Sequence, residues 1–368
     1  MELAVIGKRL AEPLTGVGRY LECLVRHWSR TPLPFDRVRI YAPGEPQWPA
    51  GTVRPPVEVV VVTDKVSPLW WENVALAAHL RRADLLFGAY TLPWLSGDRG
   101  VVSNLGIYES RPGDFSWPAR LRTRPFFRRS VRRARLVLAN SSSTRNDVVQ
   151  YFGASPGRVR VIPLGADERL SPGRPEGRAK LPADPFFLFV GKISKRRNLP
   201  LLIEAFAAAK RSGSLPHKLV VIGPDYLGLD LPGLARAAGV GQAVVWREHA
   251  AMDELADYYR GATAFVLPTE HEGFSLTLVE AMASGAPTIV FDHAALEDSQ
   301  RMAALIPAPT TEGLQEALLA TASDEGLRDR LSGESILCAT AFRWEETARR
   351  TMEALAEAAR LGLPPAAG

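Results

Sequence analysis

The chain has 368 residues, a length that predicts two domains. Of these residues 46% are hydrophobic and 23% charged, a composition typical of a soluble globular protein. No run approaches the roughly 18 consecutive apolar residues that a membrane-spanning helix needs. The formal net charge of +5 is compatible with nucleic acid, an anionic membrane or a phosphorylated small molecule as partner, and charge alone does not choose among them.

The compartment is predicted from the amino terminus and the cysteines. The opening residues, MELAVIGKRL, are a short apolar run followed by charge, which is unlike a signal peptide. The two cysteines, Cys23 and Cys338, are far apart in sequence and imply no disulfide framework. We therefore expect a cytoplasmic protein.

Strand and helix patterns alternate along the whole chain. Short apolar runs rich in β-branched residues predict strands at Leu3–Ile6, Val57–Val62, Val101–Ser103, Leu136–Ala139, Val159–Ile162, Phe186–Val190, Leu219–Ile222, Ala264–Leu267 and Pro287–Phe291. Helical spacing predicts helices at Gly18–Trp28, Thr144–Phe152, Leu199–Ala209, Asp253–Tyr259 and Leu276–Ala283. Such alternation predicts an α/β protein with parallel sheets covered by helices on both faces.

The segment Thr15–Tyr20, TGVGRY, follows the first strand. Its glycines, Gly16 and Gly18, suit a loop that passes close to a phosphate ahead of a helix. The segment fails as a dinucleotide fingerprint because Leu21 occupies the third glycine position, which disfavours an NAD-dependent enzyme.

A basic run extends from Arg120 to Arg135, with eight arginines and no acid, in a helix that we expect Pro125 to interrupt. Leu121, Phe126, Phe127 and Val131 lie between the arginines. Two interpretations stay open: a solvated helix face with ordinary core contacts, or a surface attracted to anionic lipid. Nucleic acid is disfavoured because no recognised binding module accompanies the charge.

A domain boundary is predicted at Asp167–Pro185, which is rich in Pro, Gly and charge and lacks periodicity. We assign residues 1–168 to a first domain, 169–185 to a linker and 186–344 to a second domain. In open α/β sheets ligands bind beyond the carboxyl ends of the strands, so two facing domains would form a cleft.

The segment Phe186–Asn198, FFLFVGKISKRRN, reads as a buried strand, then Gly191, then a basic loop. Lys192 and Arg197 are candidates for neutralising a phosphate-bearing ligand. Lys195 and Arg196 are expected to face solvent. Taken alone, the whole segment is equally compatible with a solvated basic loop.

The most informative segment is Pro268–Pro287, PTEHEGFSLTLVEAMASGAP. It predicts a helix over Ser275–Ser284 that Gly285 ends, preceded by the loop His271–Phe274. Free N–H groups at the start of this helix favour an anion, and Gly273 allows a ligand to approach the backbone.

Two carboxylates, Glu272 and Glu280, accompany this predicted anion site. They would repel phosphates unless they bind something else, and sugar and ribose hydroxyls donate hydrogen bonds to carboxylates. The bland alternative is a surface acid in the loop and a solvated residue on the helix.

Together, Glu272, Glu280, GFSL and EAMASGAP resemble the donor-site signature of family-4 retaining glycosyltransferases, which have the GT-B fold of two doubly wound, Rossmann-like domains facing across a cleft. The resemblance implies that Glu280 bonds the nucleotide's ribose and Glu272 the donor sugar. It also implies that the backbone amides of Phe274, Ser275 and Leu276 hold the diphosphate. It extends to residues 345–368, expected as a helix that packs back on the first domain.

The resemblance also gives roles to the glycine-bearing and basic segments. The family usually carries Arg directly after the glycine and Lys five residues further on, and here Lys192 and Arg197 exchange those cations. Gly16, Gly18 and Gly191 are implied at the donor site. The basic run would bring the enzyme to a lipid-linked acceptor at an anionic membrane.

One departure concerns the His that the family often places after the strand Val101–Ser103. The chain has no His between His79 and His217, and Asn104, with Glu109 close in sequence, is the candidate substitute. The family's favoured scheme is front-face attack, in which the leaving phosphate takes the acceptor's proton, so the protein positions groups and stabilises charge.

We therefore expect a retaining glycosyltransferase that moves a hexose or deoxyhexose from a GDP- or UDP-sugar. No metal is expected, since no Asp-x-Asp occurs and the resemblance implies metal independence, and no cofactor is expected. The acceptor is expected to be a glycan, as in polysaccharide biosynthesis, a lipid-linked sugar or a small molecule. Two alternatives stay open: a GT-B sugar-nucleotide epimerase, and a catalytically silent partner that binds a nucleotide sugar.

Overall fold

The computed structural model of the chain describes residues 1–11, 16–46, 48, 52–63, 70–106, 117–213 and 215–361; for residues 95 and 117–123 it describes the backbone alone. The chain divides into two compact units. The first comprises Met1–Gly165 and Trp344–Gly368, and the second comprises Ala166–Arg343. The polypeptide therefore leaves the first unit once and returns to it at its carboxyl end.

In the described part of the first unit, seven strands form one parallel sheet in the order β3-β2-β1-β4-β5-β6-β7. They are β1 Glu2–Ile6, β2 Arg37–Ala42, β3 Val57–Val61, β4 Leu85–Ala89, β5 Gly100–Asn104, β6 Leu136–Ala139 and β7 Val159–Val161. The first helices are α1 Gly16–Trp28, α2 Trp117–Arg133 and α3 Ser142–Phe152, with short helical turns at Trp71–Ala75, His79–Arg82, Trp94–Ser96 and Pro156–Arg158.

In the second unit, five described strands form a parallel sheet in the order β10-β9-β8-β11-β12. They are β8 Phe186–Val190, β9 Lys218–Ile222, β10 Val244–Arg247, β11 Ala264–Leu267 and β12 Thr288–Val290. The helices are α4 Leu199–Arg211, α5 Leu231–Ala237, α6 Met252–Gly261, α7 Leu276–Ala283, α8 Asp298–Met302, α9 Thr311–Ser323 and α10 Glu325–Ala339, and a short turn covers Lys195–Arg197.

Strand order in the second sheet reverses between β8 and β11, which are neighbours. In doubly wound sheets, ligands bind outside the carboxyl ends of the strands at such a reversal. The loops that follow β8 and β11 are the basic segment and the carboxylate segment identified from sequence. The topology therefore brings these two segments to one edge of one sheet.

The last helix, α11 Trp344–Arg360, belongs to the first unit. The indole Nε1 of Trp28 donates to the carbonyl of Ala348 at 3.0 Å, and Arg160 pairs with Glu357 at 2.6 Å. This helix begins one residue before the predicted range 345–368, and residues 362–368 lie outside the described part.

The predicted linker, residues 169–185, is not a free linker, because it packs on the second unit. Asp257, fully buried on α6, accepts hydrogen bonds from the N–H groups of Glu176, Arg178 and Ala179 at 2.6, 2.6 and 2.9 Å. These three hydrogen bonds attach a segment without periodicity to helix α6. The first unit accordingly ends at Gly165 and not at residue 168.

Helix α2 carries the arginine run and is continuous through Pro125, so the predicted interruption was wrong. Its carboxyl-terminal half is anchored: Val131 is buried in a core cluster with Val102 and Val137, and Ser130 Oγ accepts from Leu92 N at 2.9 Å. Tertiary contacts offset the helical hydrogen bond that a proline removes. The side chains of Arg120, Leu121 and Arg122 lie outside the described part.

Candidate functional site

Glu272 is the centre of a buried charge cluster where the loops after β8 and β11 meet. Its side chain is buried, at 2% exposure, and its Oε1 accepts from Arg197 Nε at 3.0 Å and pairs with Arg196 Nη1 at 2.5 Å. Because an unpaired buried carboxylate is costly, the two guanidinium groups are what permit Glu272 to be ionised there.

The ionisation state of Glu272 follows from two opposing effects. Burial raises the pKa of this carboxyl, but the positive charges of Arg197 and Arg196 outweigh burial and lower the pKa to about 2. Since the unfolded value is near 4.3, the pairing stabilises the fold above that pH and the stabilisation is lost as the pH falls toward 2. Glu272 is therefore an anion and a hydrogen-bond acceptor at neutral pH.

Gly191 makes room for Arg197. The glycine has φ +140°, and a Cβ there would lie 1.4 Å from Nη1 of Arg197. The neighbouring Gly223, φ +149°, is required in turn, because a Cβ on it would lie 2.1 Å from the carbonyl oxygen of Gly191. Two glycines at the ends of β8 and β9 thus allow the guanidinium to lie against the backbone.

Arg196 does not face solvent, so that prediction was wrong. Its side chain is 15% exposed; besides Glu272 it bonds to the carbonyl of His271, at 2.9 Å from Nη1. Lys195, one residue earlier in the same turn, is exposed. Arg196 therefore ties the basic loop to the carboxylate loop and was missed because its partners lie 75 and more residues away.

The two predicted cations occupy different surroundings. Arg197 is buried in the Glu272 cluster, whereas Lys192 is exposed, with Nζ 4.8 Å from the ring centre of Tyr226. An ammonium over an aromatic ring is attracted to the electrons of the ring. Of the two predicted cations, Lys192 is therefore the one that is exposed.

The start of α7 has the form predicted for an anion site. Ser275 is its N-cap, with φ +63° and ψ +58°, and Oγ of Ser275 makes no capping hydrogen bond. Gly273 and Phe274 are buried just before it, with the Phe274 ring 5.7 Å from that of Phe342. The N–H groups of Leu276 and Thr277 have no acceptor within the helix, whereas the N–H of Leu278 donates to the carbonyl of Ser275 at 3.0 Å.

Glu280 lies on α7 and is buried, which rules out a solvated helix residue. Its Oε2 accepts from the hydroxyl of Tyr259 at 3.2 Å, and Tyr259 is itself fully buried on α6. A buried tyrosine hydroxyl needs a partner, so this contact fixes the orientation of the carboxylate.

Candidates in the first unit are placed differently from the prediction. Gly16 and Gly18 are not in a loop: they are the first and third residues of α1, and Gly18 is buried. The helix begins earlier than its apolar pattern because first-turn positions need no apolar side chain and donate no internal hydrogen bond. Thr15 and Glu109 lie outside the described part.

Asn104 is the last residue of β5 and is fully buried. Among the described residues, neither its Nδ2 nor its Oδ1 has a hydrogen-bond partner. It belongs to the first unit, and the Glu272 cluster belongs to the second.

Besides Arg196, two residues of the site were missed by sequence reasoning, Tyr259 and His293. His293 follows β12 and is buried, with Nε2 3.4 Å from Ser275 Oγ. Its position after a strand of the parallel sheet was the available signal, because that edge collects ligand-binding groups. Tyr259 carried no such signal, since buried aromatic residues on helices are usually core.

Known proteins are similar to this chain in sequence and in fold. Residues 174–336 match the family model for "Glycosyl transferases group 1", and residues 14–170 match that for "Glycosyltransferase Family 4". The D-inositol 3-phosphate glycosyltransferase of Streptomyces bingchenggensis (strain BCW-1) is 31% identical over 241 residues, 61% of this chain. The chain spans about half, 53%, of that relative's length.

The chain belongs to the group 1, family-4 glycosyltransferases. Two solved structures share the fold. Sucrose-phosphate synthase from Thermosynechococcus elongatus has a TM-score of 0.73 and 20% sequence identity, and the superposition covers 97% of this chain and 98% of the synthase chain. HepE from Anabaena, solved with UDP and glucose, has a TM-score of 0.72 at 17% identity and covers 97% and 100%. The predicted GT-B fold class is confirmed, and this family consists of transferases of the EC 2.4 class.

Among the described residues, no group of three or more His, Cys, Asp or Glu side chains is arranged to hold a metal ion. None of the helices in the described ranges combines the length and apolar character that a bilayer crossing needs.

Replacing Gly191 with Ala should displace Arg197 and destabilise the second unit. The matched control is Gly213→Ala: Gly213 also has positive φ, +110°, but a Cβ there meets nothing within 4 Å. We expect each change to cost about 1–2 kcal/mol of backbone strain, and Gly191→Ala about 1–3 kcal/mol more for the overlap. Thermal unfolding of both variants measures the difference, and equal losses would contradict the packing described for Arg197.

Proposed function

We propose that this protein transfers a sugar from a nucleoside-diphosphate sugar to an acceptor and retains the donor's anomeric configuration. The observation that carries the proposal is the pairing of Glu272 with Arg196 and Arg197 beside the amino terminus of α7. Cations and helix N–H groups suit a diphosphate, and buried carboxylates suit hydroxyl groups. A nucleotide sugar presents both kinds of group within one molecule.

Each side chain has a distinct part in this proposal. Lys192, Arg197 and the amides at Phe274, Ser275 and Leu276 hold the diphosphate, with Gly191 and Gly273 allowing its approach. Glu280, oriented by Tyr259, accepts from the ribose hydroxyls. Glu272, held as an anion by its arginines, accepts from the donor sugar.

The proposed reaction is a front-face displacement. The bond between the anomeric carbon and the diphosphate oxygen breaks, the acceptor oxygen bonds to that carbon on the same face, and the acceptor's proton passes to the departing phosphate. Charge develops on the diphosphate, where cations and helix N–H groups already point. The lysine and arginine supply that charge neutralisation, so we propose that neither metal nor cofactor is required.

The names of the similar proteins favour particular classes of donor and acceptor. HepE was solved with UDP and glucose, which supports a UDP-sugar ahead of a GDP-sugar as donor. The relative named for D-inositol 3-phosphate supports a small phosphorylated polyol as acceptor. A glycan and a lipid-linked sugar are the other acceptor classes that the family suggests.

We further propose that α2 contacts an anionic membrane. Arg124, Arg128, Arg132 and Arg133 are exposed on this helix. Trp94, 46% exposed, stacks on Phe126 with ring centres 5.9 Å apart, and Arg129 Nη2 donates to the Trp94 carbonyl at 2.7 Å. Exposed tryptophan beside arginine favours an interfacial surface over a merely solvated face.

Lys192→Ala should weaken the binding of UDP or GDP about tenfold, because a charge-assisted contact of about 1.5 kcal/mol is lost. Lys195→Ala is the matched control, since Lys195 is exposed three residues away and has no role in the proposed site. Calorimetric titration measures both affinities. Equal affinity in the two variants would remove Lys192 from the site.

Product formed in excess EDTA should keep the donor's anomeric configuration, which proton NMR of the new linkage measures. Donor incubated without acceptor is the control and should remain unepimerised. An inverted product, or activity abolished by chelation, would refute the proposed reaction. Epimerised donor would identify a sugar-nucleotide epimerase, and an inert mixture with bound nucleotide would identify a catalytically silent protein.

Wild-type protein should sediment with anionic vesicles at low salt and be released by added salt, because each surface arginine contributes about 1 kcal/mol that ions screen. Replacing Arg128, Arg132 and Arg133 with Gln should abolish sedimentation while nucleotide affinity stays constant. The charge-matched control replaces three exposed arginines of the second unit with Gln: Arg211, Arg236 and Arg330. Wild-type protein left in the supernatant would contradict the membrane proposal.

A further inference from the structure

Ser141 and Ser275 are both N-cap residues of α-helices in the described ranges, and they behave differently. Ser141, before α3, has extended backbone at φ −156°, and its Oγ accepts from the N–H of Thr144 at 3.0 Å. Ser275, before α7, has φ +63°, and its hydroxyl makes no capping bond. The first is the usual conformation of a capping serine, and the second is a left-handed conformation that favours glycine.

His293 accounts for the difference. Its Nε2 lies 3.4 Å from Oγ of Ser275, and its Nδ1 accepts from the N–H of Ala295 at 3.3 Å. Because Nδ1 is an acceptor, the proton of the neutral ring is on Nε2, which donates to the Ser275 hydroxyl. The hydroxyl is thereby held away from the helix that it would otherwise cap.

The backbone of His293 is also held by hydrogen bonds. The carbonyl of His293 accepts from Arg301 Nη2 at 3.0 Å and from the N–H of Leu296 at 3.1 Å. Burial lowers the pKa of His293 to about 4, although the carboxylates of Glu272 and Asp292 oppose that shift. The ring is therefore neutral near pH 7, with a single tautomer favoured by its two hydrogen bonds.

We propose that His293 is a positioning residue that holds the Ser275 hydroxyl away from α7, so that the N–H groups of Leu276 and Thr277 stay available to the diphosphate of the donor. This inference rests on the proposed function and deepens it. Without His293, Ser275 can relax to an extended conformation, and its hydroxyl can then accept from the N–H of Thr277. The ligand would then compete with the protein's own side chain.

Four proteins test the proposal: wild type, His293→Ala, Ser275→Gly and the double variant, each titrated with UDP and with GDP. We expect His293→Ala to weaken binding about tenfold in the Ser275 background, the scale set by the cost of a left-handed residue. In the Ser275→Gly background the loss should fall below about threefold, because glycine adopts φ +63° freely and has no hydroxyl to compete. Equal losses in both backgrounds, or none in the first, would overturn the proposal.

Thermal unfolding of the same four proteins tests the coupling without a ligand. We expect the two substitutions to be non-additive in the unfolding midpoint, and additive midpoints would overturn the positioning role. If wild-type protein binds neither nucleotide, the proposed function fails while this cycle still decides the role of His293.

A conservative variant covers the case in which His293→Ala does not fold. His293→Gln restores an N–H donor near Nε2, and we expect its nucleotide affinity and unfolding midpoint to stay close to those of wild type. Loss of the coupling in His293→Gln, or an affinity loss as large as that of Ala, would also overturn the proposal.

Discussion

The buried ion pair between Glu272 and two arginines is the constraint on which the rest of the second unit's site depends. A carboxylate at 2% exposure is tolerated only with its charge compensated, so Arg196 and Arg197 must both turn inward. Arg197 can do so only because Gly191 has no Cβ. One buried charge thus dictates the conformation of the loops after β8 and β11 together.

The consequence for chemistry is a site whose charged groups are held by the protein's own contacts. Glu272 is anionic and anchored, Glu280 is oriented by Tyr259, and His293 is neutral and bonded to Ser275. Fixed charges and dipoles need little reorganisation when charge develops on a departing phosphate, which is how such sites lower a barrier. Lys192 differs from these groups in being exposed, with its Nζ 4.8 Å from the ring centre of Tyr226.

The described contacts of the first unit give less information about chemistry than about how the end of the chain packs. Helix α11 returns to it and fixes the chain's end by contacts such as Trp28 with Ala348. Strand β5 ends in Asn104, whose buried amide has no hydrogen-bond partner within the part of the chain that the structure describes. Family membership rests on both halves of the chain, whereas the residues with readable donor chemistry are concentrated in the second.

The sequence by itself determined the alternating strands and helices, the family and the residues Glu272, Glu280, Gly191 and Arg197, because periodicity and motif spacing are local properties. Only the tertiary structure decided that Arg196 turns inward while Lys195 faces solvent, since the partner of Arg196 is distant in sequence. It likewise decided that Asp257 holds the Pro- and Gly-rich segment near Glu176, which has no periodicity to read. The Ser275 hydroxyl lies 3.4 Å from Nε2 of His293, 18 residues later, and a local pattern does not specify which distant side chain completes a hydrogen bond.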